Sequence, residues 1–154
     1  MCPVRDREPF SYLHDSALPA FRVRGVFTVM DAHCSLCAKG ATWIARNDSA
    51  EEFTIIPLQS PVGSALMRHY GLDPADPLSW LYLEDGRAYS SLDALVRVGW
   101  RLGGIWKGLV ILQVLPRWLQ DALYRVVARN RYRLFGTAEL CSLPDPEVQK
   151  RLML

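Results

Sequence analysis

The 154-residue sequence has no internal repeat, no low-complexity tract and no second cysteine pair to match the one at Cys34 and Cys37. Each absence removes a class of protein. Four cysteines, with Cys2 and Cys141 far from the central pair, are too few and too unevenly placed for a disulfide scaffold. A closed zinc site usually takes four ligands, and neither a second C-x-x-C nor an H-x-x-x-H pattern is present. A bilayer-crossing helix needs about 20 apolar residues. The strongly apolar run from Ile105 to Leu115 is shorter, carries Lys107 and Gln113, and stops at Pro116, so no membrane span is expected. Residues 1–8 contain no apolar stretch of the kind that leads an export signal. The expected compartment is therefore the reducing cytoplasm, where a C-x-x-C is more often catalytic or metal-binding than a permanent staple.

Half of the residues are apolar and 22% are charged, which suits one globular domain with a real core. The net charge of +2 conceals an uneven distribution. Between Asp48 and Asp85 seven acids face Arg68 alone, whereas between Arg117 and Arg133 five arginines face Asp121 alone. Residues 1–22 read as a loosely ordered arm from which Phe10, Tyr12 and Leu13 dock, residues 23–136 as the domain, and residues 137–154 as a tail. Within the domain, Val23 to Met30 reads as a buried strand because its core hardly alternates. A helix follows from Cys34 or Ser35 to about Asn47, with Ala41, Ile44 and Ala45 facing inward. Phe53 to Ile56 forms a second strand, closing a parallel βαβ unit. A short helix spans Pro61 to Tyr70. Trp80–Leu83 and Arg87–Tyr89 form a hairpin about Glu84-Asp85-Gly86. Ser90 or Ser91 caps a helix that presents Leu92, Leu95, Val96, Gly99 and Leu102 on one face. Ile105 to Leu115 suits an interface as well as a core. From Arg117 to about Tyr132 runs an amphipathic helix with the stripe Trp118, Leu119, Ala122, Leu123, Val126 and Val127.

The chemistry concentrates at Asp31-Ala32-His33-Cys34-Ser35-Leu36-Cys37. A thiol at a helix N-terminus meets unpaired N–H groups and the positive end of the helix dipole, which favour the nucleophilic thiolate. The start of the helix is expected to leave Cys34 near the surface. Cys37, one turn on, is placed to resolve a mixed disulfide formed on Cys34. Asp31 is either a proton acceptor for Cys37 or a turn residue that closes the strand-to-helix loop. His33, if protonated, favours the thiolate, but also reads as an exposed loop residue. Two other classes stay open. One is a zinc or sensing site built on Cys34 and Cys37 with His33, Asp31, His69 or Cys141. The other is a non-catalytic interaction module whose basic helix, with Arg125, Arg129, Arg131 and Arg133, meets an acidic partner. The same arginines also fit a helix C-terminus where cations offset the dipole. Tyr132 and Phe135 read as packing residues, so no nucleic-acid partner is expected. Nothing in the sequence sets the oligomeric state.

Asp31-x-x-Cys34-x-x-Cys37 after an apolar strand resembles the signature of the DCC family of thiol-disulfide oxidoreductases. The resemblance continues through Pro57-Leu58-Gln59-Ser60-Pro61 and through Asp85-Gly86-Arg87-x-Tyr89-x-Ser91-x-Asp93-Ala94. It extends to Ala128-Arg129-Asn130-Arg131-Tyr132-Arg133-Leu134-Phe135-Gly136, with Cys141 following, and covers roughly residues 24–145. It implies an α/β, thioredoxin-like core with a β-hairpin and an added C-terminal helical segment. It also implies Cys34, Cys37 and Asp31 as the catalytic set, with His33, Cys141, Arg129 and Arg131 as accessory candidates. The redox-active dithiol would serve in place of a cofactor, acting on a disulfide-bearing protein or a small thiol. Thioredoxin-like domains commonly set a cis-proline just before the third strand; here Pro77 is followed by Leu78-Ser79-Trp80.

Overall fold

The structure, a computed structural model, describes residues 4–23, 25–75 and 80–153. Four strands, β1 (Val26–Met30), β2 (Phe53–Pro57), β3 (Leu81–Glu84) and β4 (Arg87–Ser90), form one sheet in the order β2-β1-β3-β4. β1 runs parallel to β2 and antiparallel to β3, and β3 pairs antiparallel with β4. The parallel pair needs a crossover, and α1 (Ser35–Asn47) supplies it. α2 (Pro61–His69) follows β2, α3 (Ser91–Leu102) follows the hairpin, and α4 (Arg117–Phe135) and α5 (Pro146–Arg151) complete the helices. The mixed sheet flanked by helices is the α/β, thioredoxin-like arrangement expected, with C-terminal helices added.

All five residues of β1 are buried, as an unalternating apolar strand at the centre of a sheet should be. Its side chains divide by parity. Phe27 and Val29 enter a core with Leu66, Met67 and Leu81, while Val26 and Met30 enter cores containing Ile44 and Ala41 on the α1 side. The strand starts at Val26 rather than Val23. Gly25 breaks it with φ +76°, and a Cβ there would lie 2.7 Å from the Glu52 carbonyl oxygen.

Both flanking segments contribute to the core. Tyr12 is buried against Phe27 from the N-terminal side, and the Arg5 amide donates to the Tyr70 carbonyl at 2.9 Å. From the C-terminal side, Leu140 and Val148 pack beside Ala41 and Ile55. Arg151 makes a buried ion pair with Asp48 at 2.9 Å.

Three surfaces depart from the sequence reading. α3 buries Val96 and Gly99 as expected, but Ser91, Ala94 and Val98 rather than Leu92 and Leu95, because Ala94 and Val98 are small enough for the helix to lie close to Tyr82 and Phe53. Ser90 occupies the N-cap position of α3, but its side chain makes no capping bond. The Ile105–Leu115 run folds as consecutive 3-10 turns over Gly104–Val114 with no buried residue. In α4 only Arg131 is buried; Trp118 and Val126 of the apolar stripe face outward, while Leu123 and Val127, also partly exposed, border a cavity.

Candidate active site

At the end of β1 the chain turns through Asp31 into α1. The Asp31 carboxylate accepts the His33 amide at 3.0 Å through Oδ1, and the Asp31 carbonyl lies 3.4 Å from the Cys34 amide. This is the turn-closing role that a short acidic side chain before a helix provides. Cys34 sits at the N-cap with extended backbone (φ −95°, ψ 121°), which brings its sulfur to the open end of α1.

Contrary to expectation, Cys34 is not at the surface; its relative exposure is 0%. The chain leaving α4 returns over the turn as an extended cover. Thr137 forms an antiparallel bridge with Cys34. The Ser35 amide donates to Gly136 at 3.4 Å, Ala138 to His33 at 3.2 Å, and Leu140 to Ala32 at 2.7 Å. Cys37 is half-buried and lines a cavity of about 350 Å³ between α1, α3 and α4, walled mainly by apolar side chains such as Leu92, Leu123 and Val127. Cys34 and Cys37 are both free thiols.

Asp31, 3% exposed, is the buried hub of a polar network. Oδ1 also accepts Gln59 Nε2 at 2.7 Å, and Oδ2 accepts Arg131 Nη2 at 3.0 Å and the Tyr132 hydroxyl. Gln59 is itself held by the Ala32 amide, which donates to Oε1 at 3.0 Å. Burial pushes the Asp31 carboxyl up. The Tyr132, His33 and Gln59 hydrogen bonds and the Arg131 charge outweigh it, and the carboxyl lies below its ordinary range. Gln59→Leu removes one donor from this carboxylate and orphans the Ala32 amide. It is expected to cost about 2 kcal/mol of stability by chemical denaturation.

The two thiols are driven apart. The Cys34 thiol falls to about 6, chiefly because the Cys37 thiol donates to its sulfur; burial opposes this, and the Cys37 and Leu36 amides and the Arg131 charge reinforce it. Neither amide makes a regular capping bond to the side chain, so their effect is that of the dipoles at the helix start. Cys37 moves up, first because it is the donor to Cys34, then through burial and the negative charge beside it. The opposite displacements favour the thiolate at Cys34 and the thiol at Cys37, the division that nucleophile and resolver require.

Of the sequence candidates, Asp31, Cys34, Cys37 and Arg131 converge. Arg131, which the sequence offers both as an accessory site residue and as a dipole-offsetting arginine, is 7% exposed and paired with Asp31. Arg129 points to solvent, and Cys141 is an exposed free thiol on the 3-10 turn Leu140–Ser142. His33 is exposed and pairs with Glu139 at 2.7 Å across the cover segment. Gln59 and Tyr132 are site residues that sequence reasoning missed, although both lie inside motifs that carry the family resemblance. Among the described residues no three of His, Cys, Asp and Glu gather where they could hold a metal ion. Cys2 and the Pro77–Ser79 stretch lie outside the described residues.

A family model described as DCC1-like thiol-disulfide oxidoreductase matches residues 28–137. The chain is 32% identical over 126 residues to the uncharacterized protein YuxK of Bacillus subtilis (strain 168), covering 81% of this chain and 91% of that protein. It is 30% identical over 116 residues to the chloroplastic DCC family protein At1g52590 of Arabidopsis thaliana, covering 75% of this chain and 67% of that protein. No solved structure matches the chain.

Proposed function

The chain belongs to the DCC1-like thiol-disulfide oxidoreductase family, and on that footing we propose that it exchanges disulfides through Cys34 and Cys37, with Cys34 attacking and Cys37 resolving. The observation that carries this reading is the opposite displacement of the two thiols around Arg131, with Cys34 lowered to about 6 and Cys37 raised. The Cys34 thiolate attacks one sulfur of a substrate disulfide, forming a mixed disulfide and expelling the other sulfur as a thiolate. Cys37 then attacks the Cys34 sulfur and releases the second substrate thiolate, its proton passing to a released thiolate. Two electrons move from the Cys34–Cys37 dithiol to the substrate, and an external thiol returns the enzyme to its reduced form.

Asp31 serves this cycle as a positioning residue. With its carboxyl held ionised by its donors, it keeps Arg131 beside both sulfurs. A carboxylate with a lowered pKa is a poor acceptor for the Cys37 proton, so this role is favoured over a proton relay. A disulfide approaching Cys34 has to displace the Gly136–Leu140 cover or enter past Cys37. The substrate class is a disulfide-bearing protein or small disulfide, and the redox group is the dithiol itself.

The test is a redox titration in glutathione buffers, with alkylation of remaining thiols and mass analysis of peptides. A two-electron transition linking Cys34 to Cys37 is expected. If the two cysteines never form a mutual disulfide at any accessible potential, the reading fails.

A further inference from the structure

The Gly104–Val114 segment and α4 turn a continuous run of apolar side chains outward. Ile111, Val114 and Trp118 are 70, 82 and 71% exposed, and Ile105, Val126 and Leu134 are exposed with them. Only the inner side of the segment is held. Trp106 donates its Nε1–H to Asn47 Oδ1 at 2.8 Å and packs edge-on against Trp43, and Leu109 lies against Gly99. On α4, Arg131 and Tyr124 turn toward the cavity, so the opposite flank is left outside.

Charge indicates what that flank meets. Lys107, Arg117, Arg125, Arg129 and Arg133 are all exposed, and among the described residues none of them forms an ion pair with an acid. Asp121 is the sole acid in the sequence between Asp93 and Glu139. Arg125, Arg129 and Arg133 recur at i, i+4 and so line one edge of α4, while Leu119, Leu123 and Val126 lie along the neighbouring strip. Apolar side chains with tryptophan next to a row of arginines are the composition of a helix that lies in a bilayer interface.

We infer that the Gly104–Phe135 face docks on the surface of an anionic lipid bilayer, its apolar side chains entering the headgroup boundary and its arginines meeting lipid phosphates. The contact is with the surface, because no helix among the described residues is long and apolar enough to cross a membrane. A second copy of the chain is the weaker occupant. Pairing this face with itself sets five exposed cations against five, with Asp121 alone to offset them. Of the acids elsewhere, Asp48 is engaged with Arg151 and both Glu52 and Glu84 with Arg101. Docking also places the mouth of the Cys37 cavity at the lipid side, since Leu123 and Val127 belong to both surfaces.

Sedimentation of the full chain with vesicles tests this independently of any redox activity. Binding to phosphatidylcholine vesicles containing phosphatidylglycerol is expected, together with weakening by added salt and little binding to phosphatidylcholine alone. A basic residue near an anionic surface contributes about fivefold in affinity. Arg125→Gln, Arg129→Gln and Arg133→Gln combined are therefore expected to weaken binding about a hundredfold. Ile111→Ser, Val114→Ser and Trp118→Ser combined should abolish it with an unchanged far-ultraviolet circular dichroism spectrum. Absence of binding to anionic vesicles overturns the inference. So does undiminished binding by the arginine variant, or a concentration-dependent dimer in which Trp118 is shielded from a soluble quencher.

Discussion

Asp31→Ala is expected to lower folding stability by about 3–5 kcal/mol, read as a fall in the urea midpoint at neutral pH. The size comes from what the substitution leaves behind. Arg131 is buried, and its ion pair is with Asp31. Without the carboxylate a guanidinium stays in a site from which water is largely excluded, and the Tyr132 hydroxyl and the Gln59 amide lose their acceptor as well. Removing both charges with Asp31→Ala and Arg131→Met should recover a good part of the loss, because a buried pair replaced by apolar groups leaves no stranded ion. A double variant no more stable than Asp31→Ala would show that Arg131 is not the source of the cost.

The pH dependence of the same difference has a fixed sign. The Asp31 carboxyl is lowered in the folded protein, so the unfolded chain takes up its proton first as pH falls. The stabilisation is complete above the ordinary carboxylate value of about 3.9 and is lost as pH falls through the lower folded value. The gap between the parent protein and Asp31→Ala is therefore flat above roughly pH 5 and narrows in acid. A gap that widens in acid contradicts the assignment.

Thiolate absorbance of the reduced protein is expected to show Cys34 titrating with a midpoint at about 6. At that midpoint roughly nine-tenths of Cys34 is thiolate at pH 7, against about 3% for an ordinary thiol near 8.5. Cys37→Ala removes the largest cause of the lowering, so the midpoint moves up and the thiolate population at pH 7 falls by as much as roughly 30-fold. Arg131→Met moves it in the same direction by a smaller amount, since the arginine charge ranks behind the Cys37 donor. Cys34→Ser removes the low-pH step altogether. A midpoint that stays put in Cys37→Ala would assign the low value to the helix start and Arg131 instead.

These outcomes depend on parts of the molecule that differ in how far the sequence discloses them. β1, the turn and α1 were legible because every local signal agrees there: an unalternating apolar run, an acid that accepts the turn amides, and cysteines spaced one helical turn apart. The βαβ pairing and the hairpin at Gly86 were legible for the same reason. α3 and α4 were legible as helices but not in their orientation. Each carries apolar residues over more than one flank, and periodicity states that a face is apolar without stating which neighbour it meets. In α4 the docking side is chosen by Arg131 and Tyr132 reaching a carboxylate about a hundred residues earlier in the chain.

The sequence by itself determined where the dithiol stands, at the head of a helix that leaves a buried strand, and which thiol meets the helix dipole. It also determined that α4 is basic. Only the tertiary structure decided that Cys34 lies beneath the Gly136–Leu140 segment, that Asp31 is bound by four donors, and that one of five arginines turns inward while the others stay outside. The physical reason is range. Helix periodicity, caps and turn chemistry act over a few residues, whereas burial and charge pairing at this site join segments separated by most of the chain.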